Sequence, residues 1–268
     1  MKNLFVGVVL ALILFSCKDI KEKKVKKEIK VVENTVIKDT VQKNGTVVDE
    51  ELKNDFDILL PGSYRISYDD RVTALTSNWI DLYEKNGEYY LGKALYKIEN
   101  GYDECIEDSS KVIVPENKSI VFMNYPELKL GKIKSLKIDK NKIWPEEKVT
   151  FTFNNVNYTL RAEGKVLSSG KVENEEGKEE FFKNVQNYRL YLTTDNTAER
   201  LLLKEASFND TFVELLFAGD IDGDGKLDLI FNASRDYEEE RMILFLSSKA
   251  KNGEAMKRVS EIAVQFDC

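Results

Sequence analysis

In the loop between two short apolar runs, residues 213–218 and 227–231, and at the start of the second run, the chain places Asp220, Asp222, Asp224 and Asp228. Carboxylates at alternate positions, with Gly223 and Gly225 among them, can wrap one hard cation. Calcium takes 6–8 oxygen ligands at about 2.3–2.6 Å, so several acidic groups must converge on one point. Four carboxylates this close repel one another when no cation is bound. Asp220, Asp222 and Asp224 take the first, third and fifth loop positions. Gly225 takes the sixth, where the chain turns sharply and a positive φ is cheapest for glycine. Lys226, the seventh, offers its backbone carbonyl. Asp228, the ninth, closes the cage directly or through water. An EF-hand would carry a bidentate Glu at the twelfth position, and Phe231 stands there. The flanking runs read as short buried strands, not helices. The loop is therefore expected to join two strands around one calcium ion. An Asp/Gly surface turn without an ion is the alternative.

The run Gly219-Asp220-Ile221-Asp222-Gly223-Asp224-Gly225-Lys226-Leu227-Asp228-Leu229-Ile230 resembles the calcium loop of FG-GAP or VCBS-type repeats. Such repeats occur in integrin-like β-propellers and in many secreted bacterial proteins. Leu244-Phe245-Leu246-Ser247-Ser248 also resembles bacterial lipoproteins and secreted proteins that carry one such loop. The resemblance covers residues 198–268. It implies Asp220, Asp222, Asp224, the Lys226 carbonyl and Asp228 as calcium ligands. One copy of the loop is present, and no longer period recurs elsewhere. A propeller needs several blades to close, so a full propeller is not expected.

Met1-Lys2-Asn3 is a short basic start, and residues 4–15 are apolar. That run falls short of the ~20 residues of a transmembrane helix and suits a signal-peptide core. Leu14-Phe15-Ser16-Cys17 resembles a bacterial lipobox, which implies that Cys17 is lipidated and becomes the mature N-terminus. Lys18 at the following position resembles the sorting pattern of outer-membrane lipoproteins. Residues 18–55 are rich in Lys, Glu, Val, Thr and Asp, with too few apolar groups to offset chain entropy. They read as a disordered tether between 1–17 and a body beginning near Phe56. The expected location is the bacterial cell envelope, with the membrane as a partner through the lipid.

The chain has 268 residues and a net charge of −7, from 47 acidic and 40 basic side chains. That balance argues against nucleic acid, which needs a concentrated basic face. There is no histidine, which excludes Ser-His-Asp and Cys-His catalysis and His-based metal sites. Of the three cysteines, Cys105 and Cys268 are left if Cys17 carries lipid. In an oxidising compartment they are expected to pair, with two free thiols as the alternative.

The body reads as mainly antiparallel β, either one sandwich or two small β subdomains. Residues 56–145 and 146–268 form the candidate N- and C-terminal β regions, divided near Trp144-Pro145. Asn86-Gly87 and Asn154-Asn155 mark hairpin turns. Strands are also expected at 120–123, 133–138, 188–193, 200–204, 213–218, 227–232, 241–247 and 259–266. Residues 173–180 read as a charged loop. Short helices are expected near 236–242 and 253–259. Trp79, Trp144, Tyr83, Tyr89, Tyr90 and Tyr96 could stack on carbohydrate, against the reading that they are core and cross-strand pairs. Glu238, Glu239 and Glu240 could supply an acid and base, against the reading of a solvated turn.

The expected function is a lipid-anchored, calcium-stabilised envelope protein, non-catalytic, that binds or adheres to a protein or glycan. The alternative is an envelope polymer or glycan hydrolase using carboxylates near the metal.

Overall fold

The structure, a computed structural model, describes residues 53–67, 69–173, 177, 179–266 and 268. The signal segment 1–17 with Cys17, and the tether as far as residue 52, lie outside the described residues.

Sixteen strands run through the described residues. They are β1 (Ile58–Leu59), β2 (Gly62–Arg65), β3 (Ile80–Lys85), β4 (Glu88–Lys93), β5 (Tyr96–Asp103), β6 (Asp108–Pro115), β7 (Lys118–Met123) and β8 (Gly131–Lys132). The second half adds β9 (Lys148–Phe153), β10 (Val156–Glu173), β11 (Glu179–Thr194), β12 (Thr197–Ser207), β13 (Glu214–Gly219), β14 (Asp228–Asn232), β15 (Glu239–Leu246) and β16 (Lys257–Gln265). Four antiparallel sheets result, in the orders β1-β7-β3-β4-β8, β2-β6-β5, β12-β11-β10-β9 and β13-β14-β15-β16. The chain is thus mainly β, and its sheets close into neither a barrel nor a propeller. One short 3-10 turn, Arg71–Ala74, is the helical element among the described residues.

The hairpin signals place the turns. Asn86 and Gly87 take φ of 56° and 77°, and Asn154 and Asn155 take 48° and 63°. Two successive positive φ values suit a tight turn whose twist matches the strands it joins. Asn and Gly tolerate that region best.

Two apolar cores form, and the sheet of β13 to β16 serves both. Phe217, Ile230, Met242, Leu244, Leu246, Val259, Ile262 and Val264 pack with residues from β1 to β7. Leu215, Leu229, Phe231, Ile243 and Phe245 pack with residues from β9 to β12. Side chains alternate along a strand, so a sheet covered on both faces needs apolar residues at nearly every position. That is why 229–231 and 242–246 read as unbroken apolar runs.

Several expectations are corrected. Residues 236–242 and 253–259 are not helical: each is a turn leading into β15 or β16. Their charged residues suit helix, but β15 is buried along most of its length, and sheet packing decides its state. Glu239 is therefore not part of a solvated turn. It is 4% exposed and takes an ion pair from Arg235 and a hydrogen bond from Gln265. The expected strand at 133–138 is an irregular strap, with an isolated bridge from Ser135 to Gly219. The charged loop at 173–180 is shorter than expected, because β10 runs to Glu173 and β11 starts at Glu179. The aromatic residues do not make one stacking face. Trp79 and Trp144 are buried in different cores. Tyr83 stacks on Tyr90 across β3 and β4 at 5.7 Å, and Trp144 stacks on Phe212 at 4.1 Å.

Candidate metal centre

β13 and β14 pair as far as Gly219 and Asp228, and the eight residues between them, Asp220 to Leu227, form the acidic loop. The base of the loop is held by the 133–138 strap. Leu136 N–H donates to the Ala218 carbonyl at 2.8 Å, and Asp220 N–H donates to the Lys134 carbonyl at 2.9 Å. The approach is close enough to require glycine: a Cβ on Gly219 would lie 2.6 Å from the Lys134 carbonyl oxygen.

Inside the loop each carboxylate turns back on its own backbone. Asp220 accepts from Gly223 N–H at 2.8 Å and from Gly225 N–H at 3.0 Å. Asp224 N–H donates to Asp222, and Lys226 N–H donates to Asp224 at 2.8 Å. Gly223 and Gly225, within these turns, have φ of 77° and 83°, which glycine adopts without steric cost. The result gathers one carboxylate oxygen from each of Asp220, Asp222 and Asp224 within 4.8 Å of one another. Burial and the nearby Asp222 and Asp224 charges hold the Asp220 carboxyl above its usual range. Clustered oxygen donors and no sulfur or imidazole make a donor set suited to a hard cation such as calcium.

Asp228 stands behind this group. It is fully buried. One oxygen accepts from Ile221 N–H at 2.7 Å, and the other from Ser247 N–H at 2.8 Å. Burial, then the Asp222 charge, pushes its carboxyl well above the ordinary range. Lys226 is exposed, and its ammonium lies 3.7 Å from Asp224.

Four further residues join the site. Ser247 Oγ donates to both oxygens of Asp224 at 3.0 Å, and Ser248 Oγ donates to Asp222. Tyr158 on β10 accepts from Leu227 N–H at 3.3 Å. Asn154, in the β9–β10 turn, donates to the Gly225 carbonyl at 2.6 Å and accepts from Lys134. The loop is thus tied to β15, to the neighbouring sheet and to the strap. A cleft of about 340 Å³ opens beside it, lined among others by Tyr158, Thr194, Thr197, Lys226, Ser248 and Glu254.

Of the residues singled out in the sequence, Asp220, Asp222 and Asp224 come together, Lys226 flanks them and Asp228 braces them. Cys105 and Cys268 are joined by a disulfide, with Cα atoms 4.7 Å apart. No protein-family model, curated protein or solved structure matches the chain. The likeness to FG-GAP or VCBS-type loops therefore rests on the loop residues themselves.

Proposed function

We propose that the protein is a lipid-anchored β protein of the bacterial cell envelope, stabilised by one calcium ion. Its expected role is binding or adhesion to a protein or glycan, without catalysis. The gathering of the Asp220, Asp222 and Asp224 carboxylates within 4.8 Å carries this reading. Each contributes oxygen to the ion, and Lys226 adds its carbonyl. Asp228 reaches the ion directly or through water while it braces the loop. Bound calcium supplies positive charge where the carboxylates otherwise repel, and so fixes the loop and the surface around it.

The hydrolase reading is less well supported. Glycoside hydrolysis uses a pair of carboxylates across the scissile bond. The cleft beside the loop has one lining carboxylate among the described residues, Glu254.

The anchor rests on the lipobox-like Leu14-Phe15-Ser16-Cys17. Cys17→Ser is expected to release the protein from the membrane fraction or leave it unprocessed. Unchanged membrane partition, with no acyl mass on the wild-type N-terminal peptide, would overturn the anchor.

A further inference from the structure

Several sheet edges of this fold are shielded. The open side of β13 is covered by the strap and the residues after it: Leu136 N–H donates to the Ala218 carbonyl, and Leu215 N–H to the Asn141 carbonyl. The open side of β16 is met by Asp55 N–H at the Val259 carbonyl and by Arg71 at the Ala263 carbonyl. Between them the Asn54 side chain bonds both backbone groups of Glu261. β10 and β12 are interrupted by register shifts. Cover and bulges are how natural sheets keep an edge from pairing with another chain.

β5 has neither. It is the last strand of the β2-β6-β5 sheet, and its eight residues pair with β6 in one unbroken register, from Tyr96 opposite Pro115 to Asp103 opposite Asp108. Among the described residues no backbone group bonds its other side. Lys97, Ile98, Glu99, Asn100 and Tyr102 are exposed along it. Ile98 is 40% exposed, Tyr102 63% and Leu95, just before the strand, 51%. Lys97 and Glu99 have no ion-pair partner among the described residues.

The order of the charges says what fits this edge. Side chains alternate, so Lys97 and Glu99 share one face and Ile98 takes the other. Two copies of β5 laid antiparallel about a two-fold axis at Ile98 put Lys97 of each opposite Glu99 of the other. Ile98 then stands opposite its own copy, and Tyr96 opposite Asn100. Moving the axis one residue either way sets Lys97 on Lys97 or Glu99 on Glu99. Opposite charges directly across a sheet stabilise it, and like charges destabilise it. The edge is thus complementary to itself in one register.

We propose that β5 is a homotypic docking edge: a second copy of this chain adds its own β5 antiparallel, centred on Ile98, and joins two three-stranded sheets into one. Main-chain hydrogen bonds across the edge supply the attraction, and the charges set the register. The contact is small, so the pair belongs to the weak, transient class. It makes no use of the acidic loop and is independent of the calcium reading.

The test is sedimentation velocity of the full-length protein at concentrations up to ~1 mM. The wild type is expected to dimerise reversibly as concentration rises. Lys97→Glu and Glu99→Lys each make both attractive pairs repulsive, and each is expected to weaken association by on the order of tenfold or more. The double variant restores both pairs and is expected to dimerise as the wild type does. An equimolar mixture of the two single variants is expected to dimerise more readily than either alone, because each supplies the charges the other lacks. A wild type that stays monomeric throughout would overturn the inference. So would dimers that respond to neither single variant, or single variants that neither the second substitution nor mixing rescues.

Discussion

Asp81 shows what one buried carboxylate does to this fold. It lies on β3 and is fully buried. Asn117 and Ser119 donate to one oxygen at 3.0 and 2.9 Å, and the other oxygen has no partner. Burial holds its carboxyl above the ordinary range, against those two hydrogen bonds. The folded state therefore binds this proton more tightly than the unfolded chain. Ionised Asp81 costs stability in full above its folded pKa, and the cost fades as pH falls through that value towards 3.8. Asp81→Asn keeps an acceptor for both donors and removes the buried charge. It is expected to raise the melting midpoint at pH 7, with the gain shrinking as the pH nears 4. A variant that melts lower at neutral pH would contradict this. The four loop aspartates were legible in the sequence because their spacing is local. Ser247, Ser248, Tyr158 and Asn154 were not assigned to the site, because tertiary packing, not spacing, brings them to it. Gly219 was equally hidden, since its constraint is the Lys134 carbonyl of a distant strap.

At the level of elements, the acidic loop divides into two jobs. Asp220, Asp222 and Asp224 face one another, while Asp228 belongs to β14 and satisfies two amides, those of Ile221 and Ser247. Leaving a buried N–H unpaired costs about 1–3 kcal/mol. Asp228→Ala is therefore expected to destabilise by roughly 2–5 kcal/mol in urea unfolding, with calcium or with chelator. Asp222→Ala is expected to lose stability in calcium and little or none in chelator, where it relieves repulsion. Equal behaviour of the two variants would contradict the division. The same scale shows where sequence reading of elements held. The β3–β4 and β9–β10 hairpins were legible because Asn-Gly and Asn-Asn name the backbone their turns need. The runs at 236–242 and 253–259 misled because charge suggested helix, while the state of β15 was set by packing on both faces. The strap at 133–138 is apolar enough for a strand, but apart from the Ser135 bridge it pairs too briefly with β13 to form a ladder.

Across the whole molecule, covalent and ionic ties act on distant parts of one chain. Cys105 lies in the turn between β5 and β6, and Cys268 follows β16, with a sequence separation of 163. A cross-link over so long a loop restricts the unfolded chain, and removing a native disulfide typically costs about 2–5 kcal/mol. Cys105→Ser is expected to lower stability by that amount in urea unfolding. A non-reduced digest of the wild type should contain the linked peptides, and both thiols alkylated without reductant would contradict the pairing. The all-β class was legible from alternation and turn residues. The arrangement of the sheets was not, because a run buried on both faces reads the same whichever sheet covers it. The proposed calcium ion would be a further tie, and thermal melting tests it most directly. Calcium at ~100-fold above its dissociation constant should stabilise the native state by roughly 2.7 kcal/mol. At this chain length that is a midpoint rise of about 5–10 °C over excess chelator. The rise should vanish in Asp222→Ala, and magnesium should reproduce it poorly, because magnesium demands tighter octahedral geometry. A wild-type midpoint that is the same in chelator and in millimolar calcium would contradict the calcium-stabilised fold.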